Sequence, residues 1–145
     1  MSYLTSLQIS ASGLSAQRLR INLISSNLAN INTTRTPEGG PYERREPVFA
    51  ALPIDPNFQD ELSTQLKTEL SEVEVVEVLK DQRPPLLKYE PNHPDADEDG
   101  YVARPNINVM EEMVNLMEAS RSYEANVMST NATKNMILKA LEIGK

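Results

Sequence analysis

The chain has no cysteine, no tryptophan and a single histidine, and aromatic side chains fill only 5% of its 145 positions. Without cysteine there are no disulfides, thiolate metal sites or thiol nucleophiles. One imidazole, His93, excludes any centre that needs two. With 39% apolar residues and so few rings, a single compact core would be thin. No apolar run approaches the roughly 20 residues that cross a bilayer. The first basic residue is Arg18, so the start is expected to lack the charged head of a cleaved secretory signal. Basic side chains are outnumbered 21 to 14, for a net charge of −7. That balance argues against binding nucleic acid through a general basic surface.

Proline and charge are unevenly spread. Residues 1–36 carry Arg18, Arg20 and Arg35 and no acid, whereas residues 37–105 carry a charge of −9 and all ten prolines. Residues 106–145 carry −1 and no proline. Because proline breaks helix interiors, this reads as an N-terminal axial helix (1–36), a central proline-rich β/loop unit (37–105) and a C-terminal axial helix (106–145). The fold class expected is mainly α with a small β insertion, the two long terminal helices forming a coiled coil.

In the first zone Thr5 and Gln8 fit a capping box, with Leu4 and Ile9 as its staple. Leu7, Ala11, Leu14, Arg18, Ile21, Ser25 and Leu28 then alternate in steps of four and three, a heptad seam. The pattern fades at Asn30-Ile31-Asn32, giving a helix of about 25 residues, close to 40 Å. In the last zone Asn108 and Glu111 give a start signal. Val109, Met113, Leu116, Ser120, Tyr123, Val127, Thr130, Lys134, Ile137 and Leu141 repeat the heptad rhythm. Glu111 and Glu112 suit the positive end of the dipole, Lys139 and Lys145 the negative end, and Gly144 can end the helix. In the middle, 73–79 is rich in β-branched residues and reads as a strand, with Leu86–Tyr89 and Tyr101–Ala103 as shorter candidates. Residues 36–60 hold five prolines and read as a loop or extended arm. A β unit of three or four strands follows.

Both seams are interrupted by polar residues, among them Arg18, Ser25, Ser120, Thr130 and Lys134. Other faces carry Leu19, Leu23, Met110, Met117, Met128 and Met136, a wider apolar surface than one partner covers. Two readings stand: a plain intramolecular antiparallel hairpin, or a bundle completed by neighbouring subunits. Gly13, costly inside a helix, marks either a tolerated residue or a close approach of another backbone or a bend.

Chemistry is sparse. Asp95-Ala96-Asp97-Glu98-Asp99-Gly100 matches the opening of a calcium loop, but the twelfth position is Asn106 rather than a bidentate Glu, which favours a solvated acidic turn. His93 lies in a turn without a second ligand. Gly39-Gly40-Pro41 lacks the Lys and helix of a phosphate loop. No catalytic, cofactor-binding or metal residue is nominated, and an enzyme is the losing class.

Ser12-Gly13-Leu14, followed by Ser26-Asn27-Leu28-Ala29-Asn30-Ile31-Asn32-Thr33, resembles the N-terminal signature shared by bacterial flagellar rod and hook proteins. Met113-Val114-Asn115-Leu116-Met117 and Arg121-Ser122-Tyr123-Glu124-Ala125-Asn126 resemble their C-terminal signature, Ser122 standing where Ala is commoner. Residues 92–102 with Pro105-Asn106-Ile107-Asn108 resemble the proximal-rod type in particular. The likeness covers about residues 2–34 and 84–145; residues 45–80 match nothing diagnostic. It implies a non-enzymatic structural subunit with no cofactor, small-molecule substrate or membrane insertion. Such subunits are exported by the flagellar type III apparatus without signal cleavage. They assemble with themselves and other rod proteins into the shaft that spans the periplasm. The subunit-contact residues expected are Leu7, Leu14, Ile21, Asn27, Leu28, Asn30 and Asn32 on the first helix. On the last they are Met113, Leu116, Tyr123, Asn126, Val127, Ile137 and Leu141. The asparagines serve within or between subunits, or as local caps. The alternatives are another axial protein of the flagellum, or a coiled-coil adaptor with a weak calcium-binding loop.

Overall fold

The computed structural model describes residues 3–53 and 71–143. The expected Gly144 stop, Lys145, residues 54–60 of the arm and the Leu4 side chain of the staple lie outside that description. The order of elements is α1 (Tyr3–Ala29), β1 (Arg45–Pro53), β2 (Ser71–Lys80), β3 (Leu86–Tyr89), β4 (Tyr101–Arg104) and α2 (Val109–Ile143).

Because α1 already includes Tyr3, Thr5 sits in its first turn and does not cap it. Its end is where the asparagines begin: Asn30 N and Asn30 Nδ2 both donate to Ser26 O, at 3.1 and 2.9 Å. This satisfies a carbonyl that the helix leaves orphaned. At the start of α2, Asn108 Oδ1 accepts the Met110 amide at 3.0 Å, an N-cap. With no proline to interrupt it, α2 runs 35 residues, about 52 Å.

The β part differs from expectation in one respect. Among the described residues four strands form two separate antiparallel pairs, β1 with β2 and β3 with β4, not one sheet. Residues 45–53, within the expected arm, are a strand despite Pro47 and Pro53. A two-stranded ladder leaves one edge of each strand open, where proline is tolerated. Between Val48 and Phe49 the register shifts, leaving Val76 as a bulge. In the second pair the Tyr89 and Tyr101 rings meet edge to face at 5.3 Å. Gly100, at φ +81 and with Tyr89 and Pro91 crowding any Cβ, turns the chain into β4.

The buried apolar set is small: Ala16, Ile24, Tyr42, Val102, Ile107 and Ala119 among the described residues. Instead of one core, α1 lies between α2 and the β1–β2 ribbon. Asn27 hydrogen-bonds Arg45 at one end of the ribbon, and Ser12 Oγ accepts the Val73 amide at the other. Fifteen residues of helix, about 22 Å, thus run beside about 20 Å of strand. The β3–β4 pair is tied to the segment after α1, Arg104 donating to Asn32 Oδ1 at 3.0 Å and Thr34 to Asp95 at 2.7 Å.

Candidate functional site

The helices pair antiparallel. Gly13 lies against Asn126, Arg20 against Glu118 at 3.5 Å, and Asn27 against Glu112 at 3.1 Å. Seven residues forward on α1 match six to eight backward on α2, the spacing of a heptad. Carried on, this register brings the described start of α1 level with Met136, so the last two turns of α2 project beyond it.

The line that α2 turns toward α1 is Glu112, Ala119, Asn126 and Thr133, all buried except the half-buried Asn126, and α1 answers with Gly13, Ala16, Arg20, Ile24 and Asn27. Apart from Ile24, these are small or polar residues. The Gly13 reading is refined accordingly: what comes close is a side chain, since a Cβ there would lie 2.9 Å from Asn126 Nδ2.

The larger apolar line read from the sequence sits at the rim of the pair. Leu7, Leu14, Ile21 and Leu28 are half-buried, and so are Leu116, Tyr123, Val127 and Ile137. Ala11, Arg18 and Ser25 are exposed, as are Met113, Lys134 and Leu141. The seam is therefore rotated from the one the periodicity suggests. Periodicity ranks lines by hydrophobicity, whereas close packing and polar pairing chose the leaner line.

Met110, Val114, Met117 and Met128 stand on the side of α2 opposite the seam, roughly half a turn around the helix. They are 54–70% exposed. Leu138 and Leu141 continue the apolar exposure onto the projecting turns. Arg121 and Glu124 interrupt this face between Met117 and Met128, so the apolar exposure comes in patches. Exposed apolar patches mark interaction surfaces, and methionine adapts to irregular partners.

At the end of the pair sits a polar junction that periodicity did not reveal. Asn27 is fully buried. Its Nδ2 donates to Arg45 O at 2.9 Å and Glu112 Oε2 at 3.1 Å, and its Oδ1 accepts Arg45 N at 3.0 Å and Tyr42 Oη at 3.1 Å. Every donor and acceptor of the amide is used. Glu112, 1% exposed, also takes Arg44 Nε at 2.7 Å. Burial works against the Arg44 charge, yet its bonds to Glu46 and Glu112 hold its pKa above the ordinary value. Glu111 is exposed, so of the two acids assigned to the helix dipole one has a different task. The one local signal was that Asn27 and Glu112 each stand on a heptad line beside the apolar one, 13-20-27 and 112-119-126-133; the Arg44 partner has no such signal. Of the expected contact asparagines, Asn27 is enclosed by its own chain, Asn30 caps α1, Asn32 holds Arg104, and Asn126 faces Gly13.

The acidic turn is closed by its own backbone: Asp97 Oδ1 accepts the amides of Asp99 and Tyr101 at 3.1 and 2.7 Å. No group of three or more His, Asp or Glu side chains suited to a metal ion forms among the described residues. No helix among them is long and apolar enough to cross a membrane.

Comparison with known proteins adds the family. Residues 7–35 match the family described as "Flagella basal body rod protein", and residues 98–143 match "Flagellar basal body rod FlgEFG protein C-terminal". These spans hold most of α1 and all of α2. The chain is 43% identical over 149 aligned positions to "Flagellar basal-body rod protein FlgC" of Borreliella burgdorferi, covering 99% of this chain and 98% of that one. It is 43% identical to the protein of the same name from Bacillus subtilis, over 97% of each. With that of Escherichia coli O157:H7 it shares 40% over the full length of both. The chain belongs to the FlgC family of flagellar basal-body rod proteins.

Proposed function

We propose that the chain is a structural, non-enzymatic subunit of the proximal flagellar rod, and that its terminal helices are what assemble. One observation carries the mechanism: the pair buries its lean heptad line internally and leaves the methionine stripe of α2 in solvent. Neighbouring copies and other rod proteins would cover that stripe together with the rim residues Leu7, Leu14, Ile21, Leu28, Met113, Leu116, Tyr123, Val127, Ile137 and Leu141. The helices would then wind as a coiled coil. The outer line of α1, with Ala11, Arg18 and Ser25, is not equivalent to the outer stripe of α2. Contacts between unlike faces form rings where the rotation closes and continue from copy to copy where it does not, and a rod needs the second. The same reading divides the chain into two axial helices, 1–36 and 106–145, around a central unit, 37–105. It also includes delivery by the flagellar type III export apparatus and residence in the rod that spans the periplasm.

Met117→Asp tests it. The exposed site leaves the isolated fold within about 0.5 kcal/mol of wild type, measured by urea unfolding. Basal bodies should lack the variant and cells should lose motility. Normal basal bodies that contain it would refute the interface.

A further inference from the structure

We propose that the buried junction of Asn27, Glu112 and Arg44 is the device that sets the register of the two helices. The rest of the seam discriminates less between registers. After a slip of one heptad, about 10 Å, Gly13 would meet Ala119 or Thr133 without conflict. Asn126 would meet Ser6 or Arg20 in place of a glycine, a conflict its flexible amide can relieve by turning away. Arg20 and Glu118 meet only at 3.5 Å with the carboxylate largely exposed, and such pairs contribute little.

The junction behaves otherwise. Glu112 is the one carboxylate on the buried line of α2, whose other members are Ala119, Asn126 and Thr133. Only at the native register does the second Nδ2 hydrogen of Asn27 meet it. Displaced by a heptad, Asn27 would face Ala119 or run past the start of α2, and Glu112 would lose the amide. Arg44 Nε and Asn27 Nδ2 satisfy different oxygens of the carboxylate, so its alignment is specified from two sides. Both partners are themselves fixed. Arg45 and Tyr42 hold the Asn27 amide, and the loop from α1 to β1 carries Arg44. A single buried polar group is known to select register at a cost in stability, and this is the best attested use of buried ionic groups. The proposal concerns alignment within one chain and stands independently of the assembly reading.

The chain has no cysteine, so engineered pairs report register directly. The Asn126 Cγ lies 3.5 Å from where a Gly13 Cβ would be, close enough for Gly13→Cys with Asn126→Cys to close. Gly13→Cys with Ala119→Cys, or with Thr133→Cys, each carried with Asn126→Ala so that the new side chain meets no amide, reports slippage. In the parent chain only the first pair should oxidise. With Asn27→Leu and Glu112→Leu added, its yield relative to the slipped pairs should fall roughly tenfold, as expected for the loss of about one net hydrogen bond. Glu112→Gln keeps one acceptor oxygen, enough for Asn27 or Arg44 but not for both, so its native pairing should fall between the parent and the double-Leu chain. Exclusive closure of the native pair in the double-Leu chain would overturn the proposal. So would a Gln variant that slips as far, or a double-Leu chain with no helical circular dichroism, because the junction would then serve folding and not alignment.

Discussion

Gly13 and Asn126 meet near the middle of the helix pair so closely that no side chain larger than hydrogen fits at position 13 without displacing the amide. Alanine is worth about 1 kcal/mol over glycine in a helix interior, and here the clash opposes that gain. Gly13→Ala should therefore be nearly neutral, while Gly13→Ala with Asn126→Ala should exceed wild type by about 1 kcal/mol. A double-mutant cycle by urea unfolding checks the coupling. Strict additivity would show that the contact is not tight.

The Arg44–Glu112 pair leads to an asymmetric expectation. Arg44→Ala strands a carboxylate that is 1% exposed, and breaking a buried pair from one side costs about 3–5 kcal/mol. Arg44→Leu with Glu112→Leu should recover most of that loss. Equal destabilisation by the single and double variants would argue that shape, not charge, matters there.

Leu14→Asp and Val127→Asp place a charge at the rim of the pair, not on its open stripe. Both side chains are half-buried, so each variant should lower the unfolding midpoint as well as block incorporation into basal bodies. Met117→Asp should do only the second. The contrast separates rim from stripe.

Glu90 gives a pH dependence with a definite sign. Hydrogen bonds from Lys88 and then Arg104 depress its carboxyl from 4.5 to about 2. The charged form is the one the β3–β4 pair holds. Its support is complete above pH 4.5 and is lost as pH falls toward about 2. Protection of the Glu90 amide, which donates to Gly100 O at 2.9 Å, should fall across that window, and Glu90→Gln should remove the step.

In the acidic turn, Asp97→Asn retains the oxygen that accepts the Asp99 and Tyr101 amides. It should leave assembly and the turn unchanged, whereas Asp97→Ala should expose both amides to exchange. Calcium-dependent stabilisation lost on Asp97→Asn would favour the adaptor alternative.

Both helices, three of the strands and the family were legible because each rests on local pattern: proline placement, heptads, β-branched runs and two asparagine-rich signatures. Strand β1 was hidden by Pro47 and Pro53, which are harmful only where a second neighbour must pair. The division into two sheets depends on which strands α1 and the 30–44 segment separate, a long-range matter that strand propensity does not encode. The junction escaped for a different reason. Asn27, Arg44 and Glu112 are far apart in sequence, and each has an ordinary local role, as cap former, surface base and dipole partner. Only the pairing of the helices gives them a common address.

The unequal lengths of the helices have a further consequence. Leu138 and Leu141 stand, exposed, on turns of α2 that reach past the described start of α1. Copies joined there would overlap like courses of brick, with no two joints at one level. A column laid that way has no joint running straight across it, so at every level a twisting load passes through helices as well as through contacts.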